Sequence, residues 1–140
     1  MLSSNKDRKK IYVGCALTHS PEEFRIEVSR LKNSLRKDFE VTEFIGLTAD
    51  TPQKVYEHDI ECVRACDLFL AICDYPGTGL GFELGIATEI GKPVLAVAHE
   101  DSKVTRLLLG IEKPAYSFHR YRNIDEVESL LQEFIQLKKL

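Results

Sequence analysis

Short apolar runs alternate with helix-patterned segments along this chain, and a parallel sheet covered by helices on both faces is the architecture that accommodates such alternation. The clearest run, residues 68–73, is uninterruptedly apolar, as in a strand buried on both faces. Residues 10–17 and 93–98 read as further strands, 39–44 alternates as another, and 115–118 is a weak last one. Between them Ser20-Pro21-Glu22-Glu23 spells a helix start, with Ser20 as N-cap, Pro21 in the first helical position and Glu23 closing a capping box. Thr51-Pro52 caps a second helix running to Cys66, a third helix carries Glu83, residues 103–109 form a short one, and Asn123-Ile124-Asp125-Glu126 opens a terminal amphipathic helix. About five strands in this alternation imply an α/β, flavodoxin-like (Rossmann-like) sandwich with the first strand central and ligands bound beyond the strand C-termini.

Nothing divides this pattern into separate domains. A chain of 140 residues with 44% hydrophobic content suits one core, so residues 1–9 are expected to be a flexible tail and 10–140 a single domain. A formal charge of −3 with scattered basic residues leaves no dense positive face for a nucleic-acid backbone. No apolar stretch has the length of a membrane span or follows the N-terminus as in a signal peptide, and the expectation is a cytoplasmic protein without membrane or nucleic-acid partners. The cysteines, Cys15, Cys62, Cys66 and Cys73, lie in apolar surroundings and read as reduced core thiols. His58, Cys62 and Cys66 recur at every fourth position of a predicted helix, but such side chains ascend one face without converging on one ion, and no metal is expected.

The chemistry concentrates in Asp74-Tyr75-Pro76-Gly77-Thr78-Gly79-Leu80-Gly81-Phe82-Glu83. Gly77, Gly79 and Gly81 let backbone amides approach a small molecule, and Glu83 is read at the mouth of a helix whose positive end keeps it ionised, as a nucleophile requires. The alternative is a carboxylate that merely complements the helix dipole. Asp59 lies beside the apolar stripe of its helix, where desolvation raises its pKa and makes it a proton donor; a bond to a neighbouring amide or to Arg64 is the plainer reading. Tyr12 either points toward the crevice or is simple core. Tyr75 and Phe82 flank the glycines, where an aromatic either stacks on a ligand or is simple packing. A dinucleotide fingerprint fails because Leu84 stands where the third glycine belongs, and a P-loop fails because Gly91-Lys92 runs into Pro93. No cofactor is expected.

With these residues assembled, the chain resembles the nucleoside 2-deoxyribosyltransferase family, which includes the 2'-deoxynucleoside 5'-monophosphate N-hydrolases. The resemblance rests on Ile11-Tyr12, on Tyr56-Glu57-His58-Asp59-Ile60-Glu61 with Ala65-Cys66-Asp67, and on Gly79-Leu80-Gly81-Phe82-Glu83-Leu84-Gly85 followed by Gly91-Lys92-Pro93-Val94. It implies that Glu83 attacks the anomeric carbon, that Tyr12 orients it and crowds the sugar in favour of 2'-deoxy substrates, and that Asp59 assists the leaving base. Family transferases often carry an acidic residue at the position of Gly77 and the N-hydrolases a serine, so the subtype stays open. Thr18 and Ser20 after the first strand, with Ser102, Lys103, Thr105 and Arg106, are candidates for a phosphate. The expected partner is a small nucleoside or nucleotide, and the expected assembly a homodimer or larger even oligomer with shared sites. Hydrolysis is slightly favoured over transfer to a second base; the alternative function is a noncatalytic nucleotide-sensing module on a related fold.

Overall fold

The computed structural model describes residues 8–45 and 51–140. Most of the expected N-terminal tail, residues 1–7, lies outside the described residues. The elements run β1 (Lys10–Cys15), α1 (Glu22–Leu35), β2 (Glu40–Thr42), α2 (Pro52–Ala65), β3 (Leu68–Ile72), α3 (Thr78–Glu89), β4 (Val94–His99), α4 (Arg106–Leu109), β5 (Tyr116–Tyr121) and α5 (Glu126–Lys138). All strand pairs are parallel, in one sheet of order β2-β1-β3-β4-β5. This is the flavodoxin-like α/β fold, with one correction: the middle of the sheet is β3, the most apolar strand, and β1 sits one place in from the edge.

Alternation along each strand sorts the core into two layers. Ile11, Val13 and Cys15 of β1 join Leu68, Leu70 and Ile72 of β3 against α1 and α5, where Val28, Leu31, Val127 and Leu131 meet them. The intervening residues, Tyr12 of β1 with Phe69 and Ala71 of β3, face α2 and α3 and pack on Val63, Leu80 and Leu84. The register pairs Tyr12 with Phe69, and their rings meet edge to face with centroids 5.1 Å apart. Burial on both faces explains why β3 reads as a continuous apolar run.

Thr51 caps α2 as expected, its hydroxyl accepting from Lys54 N at 3.3 Å. Three other expectations are corrected. Pro21, not Ser20, is the N-cap of α1; Ser20 is buried and its hydroxyl donates to Leu17 O at 3.2 Å, so a turn closes before the helix begins. The short helix after β4 starts only at Arg106, because Thr105 caps it by accepting from Leu107 N at 3.3 Å. β5 continues to Tyr121, three residues past the end of its apolar signal, since His119 and Arg120 are exposed on an edge strand whose backbone still pairs with β4 as far as His99.

At the C-terminus of α3, Gly91 adopts φ +78°. Its N–H bonds Thr88 O at 3.2 Å and Lys92 N bonds Ala87 O at 2.9 Å, a Schellman closure that satisfies the last carbonyls. A Cβ at position 91 meets nothing within 4 Å, so only backbone strain opposes a side chain there. Gly91→Ala is therefore expected to destabilise the fold by about 1 kcal/mol, read as a lower urea midpoint at unchanged m-value.

Candidate active site

Strand parity, helix phase and one long side chain assemble the site. Tyr12 points into the α2/α3 layer, and Glu83, on the inward face of α3, is buried directly above it. The Tyr12 hydroxyl donates to Glu83 Oε2. Asp59, on the neighbouring turn of α2, lines the same crevice as Glu83, and its Oδ1 accepts from Ile45 N at 3.0 Å. The crevice of about 830 Å³ opens at the C-terminal ends of β1 and β3, where the chain leaves the sheet toward opposite faces. Its walls are the loop after β1, the loop and first turns after β3, part of α2 and the segment after β4.

Glu83 is not at the helix mouth. α3 begins at Thr78, which puts Gly79 and Gly81 inside the helix and Glu83 in its second turn. Its carboxyl is pushed up to about 7, first by burial and also by the nearby Asp59, while the bond from Tyr12 opposes the shift. Desolvation outweighs the helix dipole, whose effect fades beyond the first turn. Burial likewise raises the Asp59 carboxyl, against the Ile45 N–H and the neighbouring His58. The plainer sequence reading of Asp59, a bond to a backbone amide, is met by the Ile45 N–H.

Gly77, Gly79 and Gly81 line the crevice, as does Thr18. Nothing lies within 4 Å of a Cβ built at 79 or 81, so these glycines leave the helix surface open to a ligand. Gly77 has a different reason: its Cβ stands 2.7 Å from that of Ala16, so the loops after β1 and β3 touch there and leave no room for a side chain. Thr105 lines the far wall, but neither Arg106 nor Ser20 does. Phe82 is turned outward against Tyr56 of α2, ring centroids 6.4 Å apart, so it does not flank the crevice. Tyr75 does line it, with its ring edge-on to Phe24 at 5.0 Å. Tyr12 is fully buried and does not line the crevice, so its position gives no support to the expectation that it crowds a sugar; its hydroxyl reaches Glu83 instead.

Lys103, one of the phosphate candidates, lines the crevice, and so do two residues that the sequence reading did not single out, Phe44 and His19. Asp74 accepts from the Tyr121 hydroxyl and, through Oδ1, from His99 N at 3.2 Å, tying the loop after β3 to β4 and β5. Arg120 donates to His99 O at 3.1 Å and Ser102 O at 2.6 Å, which holds the segment carrying Lys103 and Thr105. These contacts join positions far apart in sequence, and no local pattern announces them. Of the metal candidates considered above, His58 Nε2 and Cys62 Sγ are 3.5 Å apart, whereas the Cys66 thiol donates to Val63 O at 3.1 Å inside the core.

A parallel α/β sheet with a buried tyrosine–glutamate pair beneath a crevice at its switch point defines a class of small-molecule site. The sequence profile of the nucleoside 2-deoxyribosyltransferase family matches residues 11–129, and the chain belongs to that family. The 5-hydroxymethyl-dUMP N-hydrolase of Mus musculus is 31% identical over 88 residues, covering 60% of this chain and 50% of that protein. Its Danio rerio counterpart is 28% identical over 94 residues, 65% of each. The matches thus span about half to two thirds of the length of these relatives. Among solved structures, the CMP N-glycosidase of Clostridium botulinum superposes with a TM-score of 0.71 at 21% identity, covering 90% of this chain and 99% of that one, which shows the fold.

The burial of Glu83 has a consequence for stability. Its carboxyl titrates near 7 in the folded chain against an ordinary 4.5, so the native state holds a proton that the unfolded chain has lost, and stability falls as pH rises through that window. A neutral amide escapes this loss. Glu83→Gln is expected to unfold at higher temperature than the wild type near pH 8, by the equivalent of about 3 kcal/mol at most, with the difference shrinking toward about pH 4.

Proposed function

We propose that this chain cleaves the N-glycosidic bond of 2'-deoxynucleosides or their 5'-monophosphates through a covalent glycosyl-Glu83 intermediate. The carrying observation is the buried Tyr12–Glu83 pair beneath a crevice whose wall also holds Asp59. Ionised Glu83, oriented by Tyr12, attacks the anomeric carbon as the bond to the base breaks through an oxocarbenium-like state. Asp59 gives its proton to the departing base, and the pair of electrons from the broken bond stays with the base nitrogen. Asp59, now ionised, takes a proton from water as that water attacks the glycosyl ester, which frees the sugar and regenerates Glu83 with net retention.

The names of the relatives support a 5'-monophosphate. So does the lining of the crevice, which includes Lys103 and His19 with the hydroxyls of Thr18 and Thr105. Gly77 has no side chain to hold a second base, in keeping with hydrolysis rather than transfer. Tyr56, Phe82 and Ile90 expose apolar surface on α2 and α3, an area suited to pairing with a second copy that closes the site. A noncatalytic sensor has no use for a carboxylate kept out of water at a cost in stability.

The test is incubation with a panel of deoxynucleosides and their monophosphates, following free base by chromatography, with light scattering for the assembly. Glu83→Ala is expected to lose turnover by more than about a thousandfold, and a 2-fluoro sugar analogue to leave one sugar mass on Glu83 of the wild type. Near-normal turnover by Glu83→Ala would refute the covalent route.

For activated substrates, whose leaving base does not need the Asp59 proton, kcat/KM is expected to rise with pH through about 7, because Glu83 acts ionised and titrates there. Tyr12→Phe removes the bond that favours the ionised form and should move the rise to higher pH while lowering its plateau. Asp59→Asn is expected to slow substrates with poor leaving bases by about a hundredfold or more, and activated ones far less.

A further inference from the structure

Three side chains are buried and polar or charged among the described residues: Ser20, which closes a turn, Glu83, and Lys32. The proposed chemistry does not use Lys32. It lies on α1, where a lysine facing the core must find partners for its ammonium. Nζ is 3.1 Å from Glu43 Oε1, whose second cation is Arg36 at 3.2 Å, and it stands over the ring of Phe44 at 5.3 Å from the centroid. That is a cation–π contact, strengthened by exclusion from water.

Phe44 follows directly after β2 and packs against both core layers, so its ring bridges the two sides of the sheet at its β2 end. It also lines the crevice, together with Val55 and Asp59 of α2. The next residue, Ile45, donates its N–H to Asp59. The backbone that carries Phe44 is thereby fixed to the carboxylate that, on the reading above, protonates the leaving base. Phe44 is thus one residue from the amide that Asp59 accepts, and both side chains line the same crevice. The other aromatic candidates are engaged elsewhere: Phe82 with Tyr56 outside the crevice, and Tyr75 edge-on to Phe24.

We infer that Phe44 is the platform on which the nucleobase stacks, and that Lys32 is a positioning residue that holds the ring in place from the core side. The proposal rests on the N-glycosidic reading of the site and adds to it the residue that receives the base. A phenyl ring offers a face to any base and no hydrogen-bonding group, so it supplies affinity without choosing between bases. Lys32 acts by restricting the ring, and its effect has to pass through Phe44.

The experiment compares Phe44→Leu, Phe44→Trp, Lys32→Met and the double variant Lys32→Met/Phe44→Leu in full-length protein. The readouts are KM for the best-cleaved deoxynucleoside monophosphate and the affinities for the two products, free base and 2-deoxyribose 5-phosphate. Phe44→Leu is expected to raise KM and weaken the free base by about tenfold, leave the sugar phosphate within about twofold, and be rescued by Phe44→Trp. Lys32→Met, which keeps the apolar stem, should raise KM by about threefold in the wild-type background and not at all beside Phe44→Leu. The proposal is overturned if KM is unchanged in Phe44→Leu, if base and sugar phosphate weaken together, or if the two substitutions add. A wild type that cleaves the panel normally while these variants behave so leaves the N-glycosidic reading standing. A wild type that cleaves no member of the panel removes both.

Discussion

The hydrogen bond from Tyr12 to Glu83 is the contact on which the arrangement of this site depends. A carboxylate taken out of water needs a donor close by, and Tyr12 provides one from the strand beneath. The placement works because of strand parity: a one-residue slip in β1 would send Tyr12 to the α1/α5 layer and leave Glu83 with no hydroxyl below it. The same parity places Phe69 edge-on to Tyr12 and so restricts its ring. Site and fold are coupled here at one pair of side chains, and burying the carboxyl costs stability in the pH range where Glu83 ionises.

Around this pair the structure uses the absence of side chains as much as their presence. Gly79 and Gly81 keep the first turns of α3 bare where a ligand has to approach, and Gly77 lets the loop after β3 touch the loop after β1 at Ala16. The opposite wall is held by polar contacts: Asp74 gathers Tyr121 and His99, and Arg120 takes the carbonyls of His99 and Ser102. The crevice is thus fixed on one side by a steric contact and on the other by hydrogen bonds between strand ends. On its third side Ile45 links Asp59 to the segment after β2, next to Phe44. Each of these ties connects residues that only the sheet brings together.

Much of this is legible in the amino-acid sequence. The continuous apolar run of β3, the Thr51-Pro52 helix start and the alternation of strand and helix patterns are local signals, and local sterics and burial produce them. Ser20 misled because a serine before a proline reads equally well as a helix cap and as the closure of a preceding turn. Glycines at 77, 79 and 81 read as a turn because glycine lowers helix propensity, yet packing of Leu80 and Leu84 into the core is enough to extend α3 through Gly79 and Gly81, with Gly77 as its N-cap. Phe44 stayed unnoticed because nothing in Glu43-Phe44-Ile45 marks an aromatic that will face a ligand.

By itself, the amino-acid sequence determined the fold class, the family and the candidates Tyr12, Asp59 and Glu83, since periodicity and short motifs are properties of neighbouring residues. The tertiary structure decided which layer each candidate faces, that Glu83 is buried with a raised pKa instead of exposed at a helix mouth, and that Tyr12 lies behind it and outside the crevice. It also decided that Phe82 turns away while Phe44, Lys103 and His19 turn in. The physical reason is that burial, and with it the strength of every charge and hydrogen bond in the site, depends on what distant segments bring to the same place.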